Sequence, residues 1–173
     1  MPNIVGIFLF ICMLSILSIQ INTAICAERQ IAHVVHVHDG DTIRVGEKSG
    51  AVIKIRLYGI DCPEADQPYG SEATQSAKDF ADGQTVEFEA FYQDRYKRSV
   101  ALVLLPDGMT LQERLLIAGL AWVDPRYCDR PECAVWEEKE QAACAAGVGL
   151  WAAPDPVPPW EWRRLKRRGN SSH

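Results

Sequence analysis

Apolar and polar residues alternate in several short segments of the chain, which is the pattern of half-buried β-strands. Residues 31–38 alternate in this way and end at an Asp-Gly turn signal. Residues 42–45 and residues 51–60 follow, separated by a Lys-Ser-Gly turn at 48–50. These segments predict a three-stranded meander.

A helical pattern comes next, with apolar residues spaced to share one face. The residues on that face are Ala73, Ala77, Phe80 and Ala81. Ser71 is the predicted N-cap and Gly83 the stop signal. Residues 86–90 alternate again and predict a fourth strand with one face in water. Residues 99–105 are apolar on both faces, so they predict a fifth strand that is central and covered.

Two more helices are predicted after the fifth strand. A capping box at residues 110–113 begins a helix that runs to Ala118, and residues 131–146 form another, after a short extended piece at 121–123. The leucines that these helices would bury against the barrel are Leu111, Leu115 and Leu116. Residues 154–159 predict an extended Pro-rich arm, and residues 160–173 a frayed basic tail.

Five strands with a helix between the third and fourth are the element order of an OB-fold. We therefore predict a mainly β member of the α+β class, a five-stranded OB-fold barrel with about three helices. A chain of 173 residues with 47% hydrophobic residues can form one core of this size. The predicted domain covers residues 28–153, and residues 154–173 form a Pro-rich and basic tail.

The N-terminal segment is strongly apolar. Residues 4–19 are almost continuously apolar and small residues follow at 24–27, which predicts a signal peptide over residues 1–27. Cleavage would release a secreted or periplasmic protein with no stable membrane association. No Lys or Arg precedes Arg29, so an uncleaved N-terminal membrane anchor is the alternative.

The cysteines after residue 27 fit an oxidising compartment. Cys128 and Cys133 flank a short loop, and we expect a disulfide between them, with two free thiols as the alternative. A four-cysteine zinc site is not favoured, because Cys62 and Cys144 lack the paired spacing of structural zinc ligands.

Charge is distributed unevenly along the chain. The sequence has 18 basic and 23 acidic residues for a net charge of −5. Residues 160–173 contribute a net +4, which leaves −9 on residues 28–159. A body this acidic would bind nucleic acid poorly through counterion release alone. If it acts on a phosphodiester, a bound cation or the basic tail must offset that charge.

Three carboxylates, those of Asp41, Asp61 and Glu64, lie in two predicted turns. Oxygen-only ligands suit Ca²⁺ or Mg²⁺, and a loop that can add a backbone carbonyl, here that of Cys62, favours Ca²⁺. Each turn taken alone is also explained as an ordinary turn sequence. The carboxylates therefore indicate a functional site only together with nearby basic residues.

Arg56 and Arg98 are those basic residues, one in the third predicted strand and one at the start of the fifth. A guanidinium binds two phosphate oxygens at once and stabilises charge that develops during phosphoryl transfer. Structural ion pairs with the carboxylates are the alternative. The combination predicts a site for a phosphate beside a cation.

Several motifs in this order resemble the staphylococcal nuclease (thermonuclease) family, as an exported bacterial-type member. The motifs stand at residues 39–42, 56–64, 69–73, 94–98, 119–121 and 150–151. By this resemblance Asp41, Asp61 and the carbonyl of Cys62 would hold calcium. Arg56 and Arg98 would bind the scissile phosphate, and Glu64 would activate or orient the attacking water.

The resemblance also implies residues that bind the substrate. Tyr96 would contact a terminal phosphate, and Asp94 would brace the turn that carries Tyr96. Tyr127 would stack on a base, although Pro125 replaces the second tyrosine of the pair that the family uses. Nucleotide preference is therefore not carried over, and neither are substrate contacts in the short loop at residues 65–68.

The expected function is that of a monomeric, calcium-dependent endonuclease that hydrolyses phosphodiester bonds of DNA and RNA and leaves 3′-phosphate ends. The first alternative is a non-catalytic OB-fold protein that only binds nucleic acid. The second is an exported structural or adhesion domain that needs no calcium and has no affinity for nucleic acid.

Two side-chain groups lie outside these motifs. His36 and His38 share a strand face and could form part of a transition-metal site, but the sequence places no third nitrogen beside them. Trp151, Trp160 and Trp162 could stack on single-stranded nucleic acid together with the basic tail. Packing of an apolar arm on the barrel is the alternative for the tryptophans.

Overall fold

The computed structural model describes residues 29–170, so the predicted signal peptide lies outside the described residues. Seven strands are present in that range: β1 (Gln30–Asp39), β2 (Thr42–Gly46), β3 (Val52–Leu57), β4 (Ile60–Asp61), β5 (Thr85–Gln93), β6 (Ser99–Leu104) and β7 (Trp122–Val123). The helices of the same range are α1 (Gly70–Ala81), α2 (Leu111–Ile117), α3 (Glu132–Ala145), a 3₁₀-helix (Gly149–Ala152) and α4 (Pro159–Asn170). None of the helices in residues 29–170 has the length and apolar character needed to cross a membrane.

Five of the strands close into a barrel in the order β1-β2-β3-β6-β5. The contact between β3 and β6 is parallel, and the other contacts around the barrel are antiparallel. The strand residues buried in the core include Val34, Val37, Ile43, Ile55, Phe88 and Val103. The predicted five-stranded OB-fold barrel is confirmed, and β6 has the continuous run of buried residues expected of a central strand.

The predicted third strand is shorter than its hydrophobic pattern suggested. It ends at Leu57, because Gly59 adopts a positive φ of 72° and turns the chain. A Cβ at Gly59 would lie 2.7 Å from the sulfur of Cys128, so a larger residue does not fit there. Beyond the turn, β4 leaves the barrel and pairs with β7. This break places Asp61 on a separate strand from Arg56.

Helix α1 does not begin where the sequence predicted. Its N-cap is Tyr69, in the left-handed conformation, and not Ser71. A Cβ at Gly70 would lie 1.9 Å from the carbonyl oxygen of Glu64, so the first turn of the helix packs directly on the preceding loop. That tertiary contact sets the start of the helix in place of a side-chain cap.

Helix α2 begins as predicted, with a capping box between Thr110 and Glu113. Its leucines, Leu111, Leu115 and Leu116, are fully buried as expected. Helix α4 is the main correction, because the segment predicted to be a frayed tail is helical from Pro159 to Asn170. The protein therefore has four α-helices in its described residues instead of about three.

The predicted disulfide between Cys128 and Cys133 is confirmed, with a Cα–Cα distance of 5.7 Å. It closes the loop in which Asp129 accepts a hydrogen bond of 2.6 Å from the Tyr58 hydroxyl. We expect the paired replacement of both cysteines by serine to lower the free energy of unfolding by about 2 kcal/mol, the value for so short a loop. Urea unfolding of the oxidised protein measures this change. Cys144→Ser is the control, because Cys144 is free and exposed, and equal stability of all three proteins would contradict the prediction.

Candidate active site

A cleft of about 1020 Å³ opens on one side of the barrel. Its walls come from the β1–β2 turn, the end of β3, the loop after β4, the β5–β6 turn, the segment after β7, and helix α4. The residues predicted from the sequence to bind metal or substrate or to act in catalysis all line it, namely Asp41, Arg56, Asp61, Cys62, Glu64, Tyr96, Arg98 and Tyr127. The fold thus brings together residues from five separate segments.

Arg56 lies at the centre of the acidic part of this cleft. Its Nη2 donates to Asp61 Oδ1 at 2.8 Å, and its Nη1 forms an ion pair with Asp41 Oδ2. Asp41 Oδ2 also accepts a 3.0 Å hydrogen bond from the backbone N–H of Cys62, which ties the first turn to the second. The main-chain N–H of Leu57 donates to the Asp41 carbonyl at 2.8 Å, so the backbone itself holds the two carboxylates around one guanidinium.

Burial is the main influence on the pKa values of the two buried carboxylates, Asp41 and Asp61. Burial raises the pKa of Asp41, although the attraction of Arg56 acts in the opposite direction. Burial likewise raises the pKa of Asp61 against the opposing effects of Arg56 and Arg163. Because desolvation exceeds the compensation that the arginines provide, a further cation would favour the ionised forms of both groups.

Arg56 Nη1 is held by an ion pair without the geometry of a hydrogen bond. It is buried against Asp41 Oδ2. Since Arg56 lines the cleft, an anion bound there would compete with Asp41 for this guanidinium.

The β5–β6 turn positions the second predicted guanidinium. Asp94 Oδ1 accepts from the backbone N–H groups of Tyr96 at 2.8 Å and Arg98 at 2.9 Å, and Asp94 Oδ2 accepts from Arg98 Nε at 2.7 Å. Partial burial raises the pKa of Asp94, but these hydrogen bonds outweigh it and hold the pKa below its usual range. Asp94 therefore holds the turn as predicted. The ring of Tyr96, which is 64% exposed, lies 5.4 Å from the Arg98 guanidinium.

Glu64 lies at the edge of the acidic group, with its side chain 38% exposed. Its partner is Arg163 of helix α4, a residue that the sequence analysis placed only in a basic tail. The available signal was the spacing of Trp160, Arg163 and Arg167, which share one face of a helix and all line the cleft. That pattern was missed because the segment was not recognised as helical.

Arg126 was also missed, and no sequence motif marks it. It binds Asp124 through two hydrogen bonds of 2.8 and 2.6 Å, and its guanidinium lies over two aromatic rings. Those rings belong to Tyr127, at 5.4 Å, and Trp160, at 5.1 Å. Tyr127 is 58% exposed on the cleft wall, as stacking on a base requires.

The tryptophans divide between the two predicted alternatives, which are stacking on nucleic acid and packing of the C-terminal arm on the barrel. Trp151 packs edge-on against Trp122, with ring centroids 5.4 Å apart, so it belongs to the packing of the C-terminal arm. Trp160 lines the cleft. Trp162 donates its indole N–H to Asp66 at 3.4 Å. The three residues therefore do not form one stacking platform.

The possible metal ligands are few. Among residues 29–170 no three side chains of His, Cys, Asp or Glu form a cluster suited to a metal ion, and the rings of His36 and His38 lie 6.4 Å apart. Asp41 and Asp61 remain the pair of side chains that could share a cation. The donor set would have to be completed by backbone oxygen, such as the carbonyl of Cys62, and by water.

Comparison with known proteins agrees with this geometry. Residues 54–153 match the model of the staphylococcal nuclease homologue family. A protein of Escherichia coli O157:H7 named an uncharacterized endonuclease is 42% identical over 142 residues, which cover 82% of this chain and 90% of the relative. A protein of Haemophilus influenzae with the same name is 30% identical over 84% of this chain and 79% of the relative.

A plant relative is similar over about two thirds of this chain. The staphylococcal-like nuclease CAN1 of Arabidopsis thaliana is 42% identical over 117 residues, which cover 68% of this chain but only 35% of the plant protein. The shared region is therefore part of a much longer plant chain. The resemblance inferred from the motifs is confirmed, and this chain belongs to the staphylococcal nuclease homologue family.

Proposed function

We propose that this protein is a calcium-dependent endonuclease that hydrolyses phosphodiester bonds of DNA and RNA and leaves 3′-phosphate ends. The observation that carries the proposal is one cleft in which Arg56 and Arg98 lie with the carboxylates of Asp41, Asp61 and Glu64. Membership in a nuclease family, with relatives named as endonucleases, supports the same activity.

The two arginines would bind the scissile phosphate. Arg56 in β3 lies opposite Val100 in the adjacent strand β6, so Arg98, just before β6, is offset from Arg56 by two residues along the sheet. Two guanidiniums placed in this way can bind different oxygens of one phosphate. Their attraction grows as negative charge builds up on those oxygens in the transition state, which lowers the barrier.

Glu64 would orient the attacking water and accept its proton. It is the most exposed of the three carboxylates in the cleft, so water can reach it. The water oxygen forms a bond to phosphorus while the bond from phosphorus to the 5′ oxygen breaks. The 5′ oxygen leaves with the electron pair of that bond and takes a proton from solvent, and the phosphate stays on the 3′ oxygen.

Calcium fits the chemistry of the donor set, because Asp41, Asp61 and the carbonyl of Cys62 offer only oxygen. A bound Ca²⁺ would supply positive charge to the phosphate oxygens during phosphoryl transfer. The buried carboxylates would hold the ion, and because burial raises the pKa of both, an added positive charge would favour their ionised forms.

Cleavage in the presence and absence of calcium tests the proposal. We expect the purified protein to cut labelled DNA and RNA oligonucleotides with Ca²⁺ and to lose this activity in excess chelator. A polymerase should extend the product ends only after phosphatase treatment, because a 3′-phosphate blocks extension. Binding without cleavage would favour the non-catalytic OB-fold alternative, and cleavage that resists chelator would contradict the calcium requirement.

We also propose that the enzyme works outside the cytoplasm, in a secreted or periplasmic location. The disulfide between Cys128 and Cys133 supports this, because such bonds persist in oxidising compartments. The apolar stretch at residues 4–19 supplies a segment suited to export.

A further inference from the structure

Helix α4 places a basic side chain directly on the carboxylates of the cleft. Arg163 Nη2 donates to Asp61 Oδ2 at 2.6 Å, and Arg163 Nη1 lies 3.3 Å from Asp61 Oδ1. The same Nη1 donates to Glu64 Oε1. With Arg56 also bound to Oδ1, both oxygens of Asp61 are engaged by guanidinium groups.

The position of Arg163 follows from the docking of the whole C-terminal arm. Gln67 Nε2 donates to the carbonyl of Val157 at 2.6 Å, just before the helix. Within the helix, Trp162 and Lys166 both bind Asp66, and the Arg126 guanidinium lies over Trp160. These contacts hold the helix beside the loop that follows β4. The docking of the helix therefore fixes Arg163 next to Asp61.

A guanidinium and a divalent cation cannot occupy the same carboxylate oxygens, since their charges repel at contact distance. If Asp61 Oδ2 binds a cation, Arg163 must first leave that oxygen, while Arg56 can stay on Oδ1. A phosphate of bound substrate would give the released side chain another anion to bind. Arg163 lines the proposed substrate cleft together with Arg56 and Arg98.

We propose that Arg163 is an internal counter-ion that exchanges with the divalent cation on Asp61, and that the guanidinium released from Asp61 and Glu64 then binds a nucleic-acid phosphate. This inference rests on the proposed function. It assigns the basic C-terminal helix a direct part in coupling cation binding to substrate binding. By linkage, nucleic acid and the cation should each increase the affinity for the other.

Calorimetric titration with Ca²⁺ tests the exchange without relying on cleavage. We expect Arg163→Gln to bind Ca²⁺ about tenfold more tightly than the wild type, within the usual range of coupling between two sites. Arg163→Lys keeps the charge but lacks the planar fork that binds both oxygens of Asp61, so its Ca²⁺ affinity should lie between those of the wild type and Arg163→Gln. Arg164→Gln is the matched control, because Arg164 is on the same helix, pairs with Glu161 and does not line the cleft.

The titrations are repeated with a phosphorothioate oligonucleotide that resists cleavage. We expect it to tighten Ca²⁺ binding about fivefold in the wild type and by less in Arg163→Gln, which lacks the side chain that links the two ligands. Circular dichroism and thermal melting verify that each variant is folded.

The outcomes separate this inference from the proposed function. Equal or weaker Ca²⁺ binding by Arg163→Gln, in a protein whose cleavage needs calcium, would overturn the exchange and leave the function intact. An equal gain in Ca²⁺ affinity in Arg164→Gln would also overturn the exchange. The gain would then come from the loss of one positive charge and not from the release of Asp61. Absence of Ca²⁺ binding in all variants, with and without oligonucleotide, would contradict both. Binding by Arg163→Gln when the wild type shows none would support the exchange in its strongest form.

Discussion

Replacing Arg56 or Arg98 with lysine is expected to lower the turnover of phosphodiester cleavage by about two to three orders of magnitude. The loss of one donor that stabilises transition-state charge costs roughly 3 to 4 kcal/mol in comparable sites. Lysine keeps the charge but not the fork that binds two oxygens at once. Initial rates on a labelled oligonucleotide at saturating Ca²⁺ measure the effect.

Arg114→Lys provides the matched control for these variants. Arg114 forms an ion pair with Asp107 and does not line the cleft, so its replacement should leave the rate unchanged. Thermal melting is needed for the Arg56 variant in particular, because Arg56 bridges Asp41 and Asp61. A folded Arg56→Lys or Arg98→Lys protein with nearly wild-type turnover would contradict the proposed role of that arginine.

Replacing Glu64 with glutamine is expected to lower turnover by about two to four orders of magnitude, the usual contribution of a general base. Glutamine has nearly the same shape but cannot accept the proton of the attacking water. Affinity for an uncleavable oligonucleotide should change little, because the arginines proposed to bind the phosphate remain. Turnover and binding are therefore measured separately, by steady-state kinetics and by fluorescence anisotropy.

Glu72→Gln is the control for the Glu64 variant. Glu72 is an exposed carboxylate in the first turn of α1, hydrogen-bonded to Ser71, and it does not line the cleft. Its replacement removes the same charge without touching the site. If Glu64→Gln reduced binding and turnover by the same factor, Glu64 would be a binding residue and not a base.

The charge distribution connects the two proposals. Residues 28–159 carry a net −9, which implies that a cation or the basic tail must assist the binding of an anionic substrate. In the structure the basic segment is helix α4, and Arg163 is paired with Asp61 and Glu64. In the proposed exchange, Arg163 and the cation would neutralise the carboxylate of Asp61 one after the other.

Local sequence signals predicted much of the fold. The capping box at Thr110, the buried run of β6 and the disulfide between Cys128 and Cys133 were all confirmed. Each depends on residues that are close together in the chain. The motif residues that line the cleft could also be predicted, because each lies in a short segment with a recognisable pattern.

Other features depended on packing contacts that no local sequence pattern marks. Helix α1 starts at Gly70 and not after Ser71, because the carbonyl of Glu64 packs against its first turn. Helix α4 is not expected from composition, since its residues are mostly polar or charged and its docking relies on Asp66 and Gln67, far away in the chain.

The sequence alone determined the barrel class, the family resemblance and the set of acidic and basic residues from Asp41 to Arg98. Only the tertiary structure decided how those charges are paired. Arg163 lies 102 residues after Asp61, and no local pattern joins them. Because an ion pair depends on where the chain brings two side chains together, the counter-ion of the proposed cation site became visible only in the folded protein.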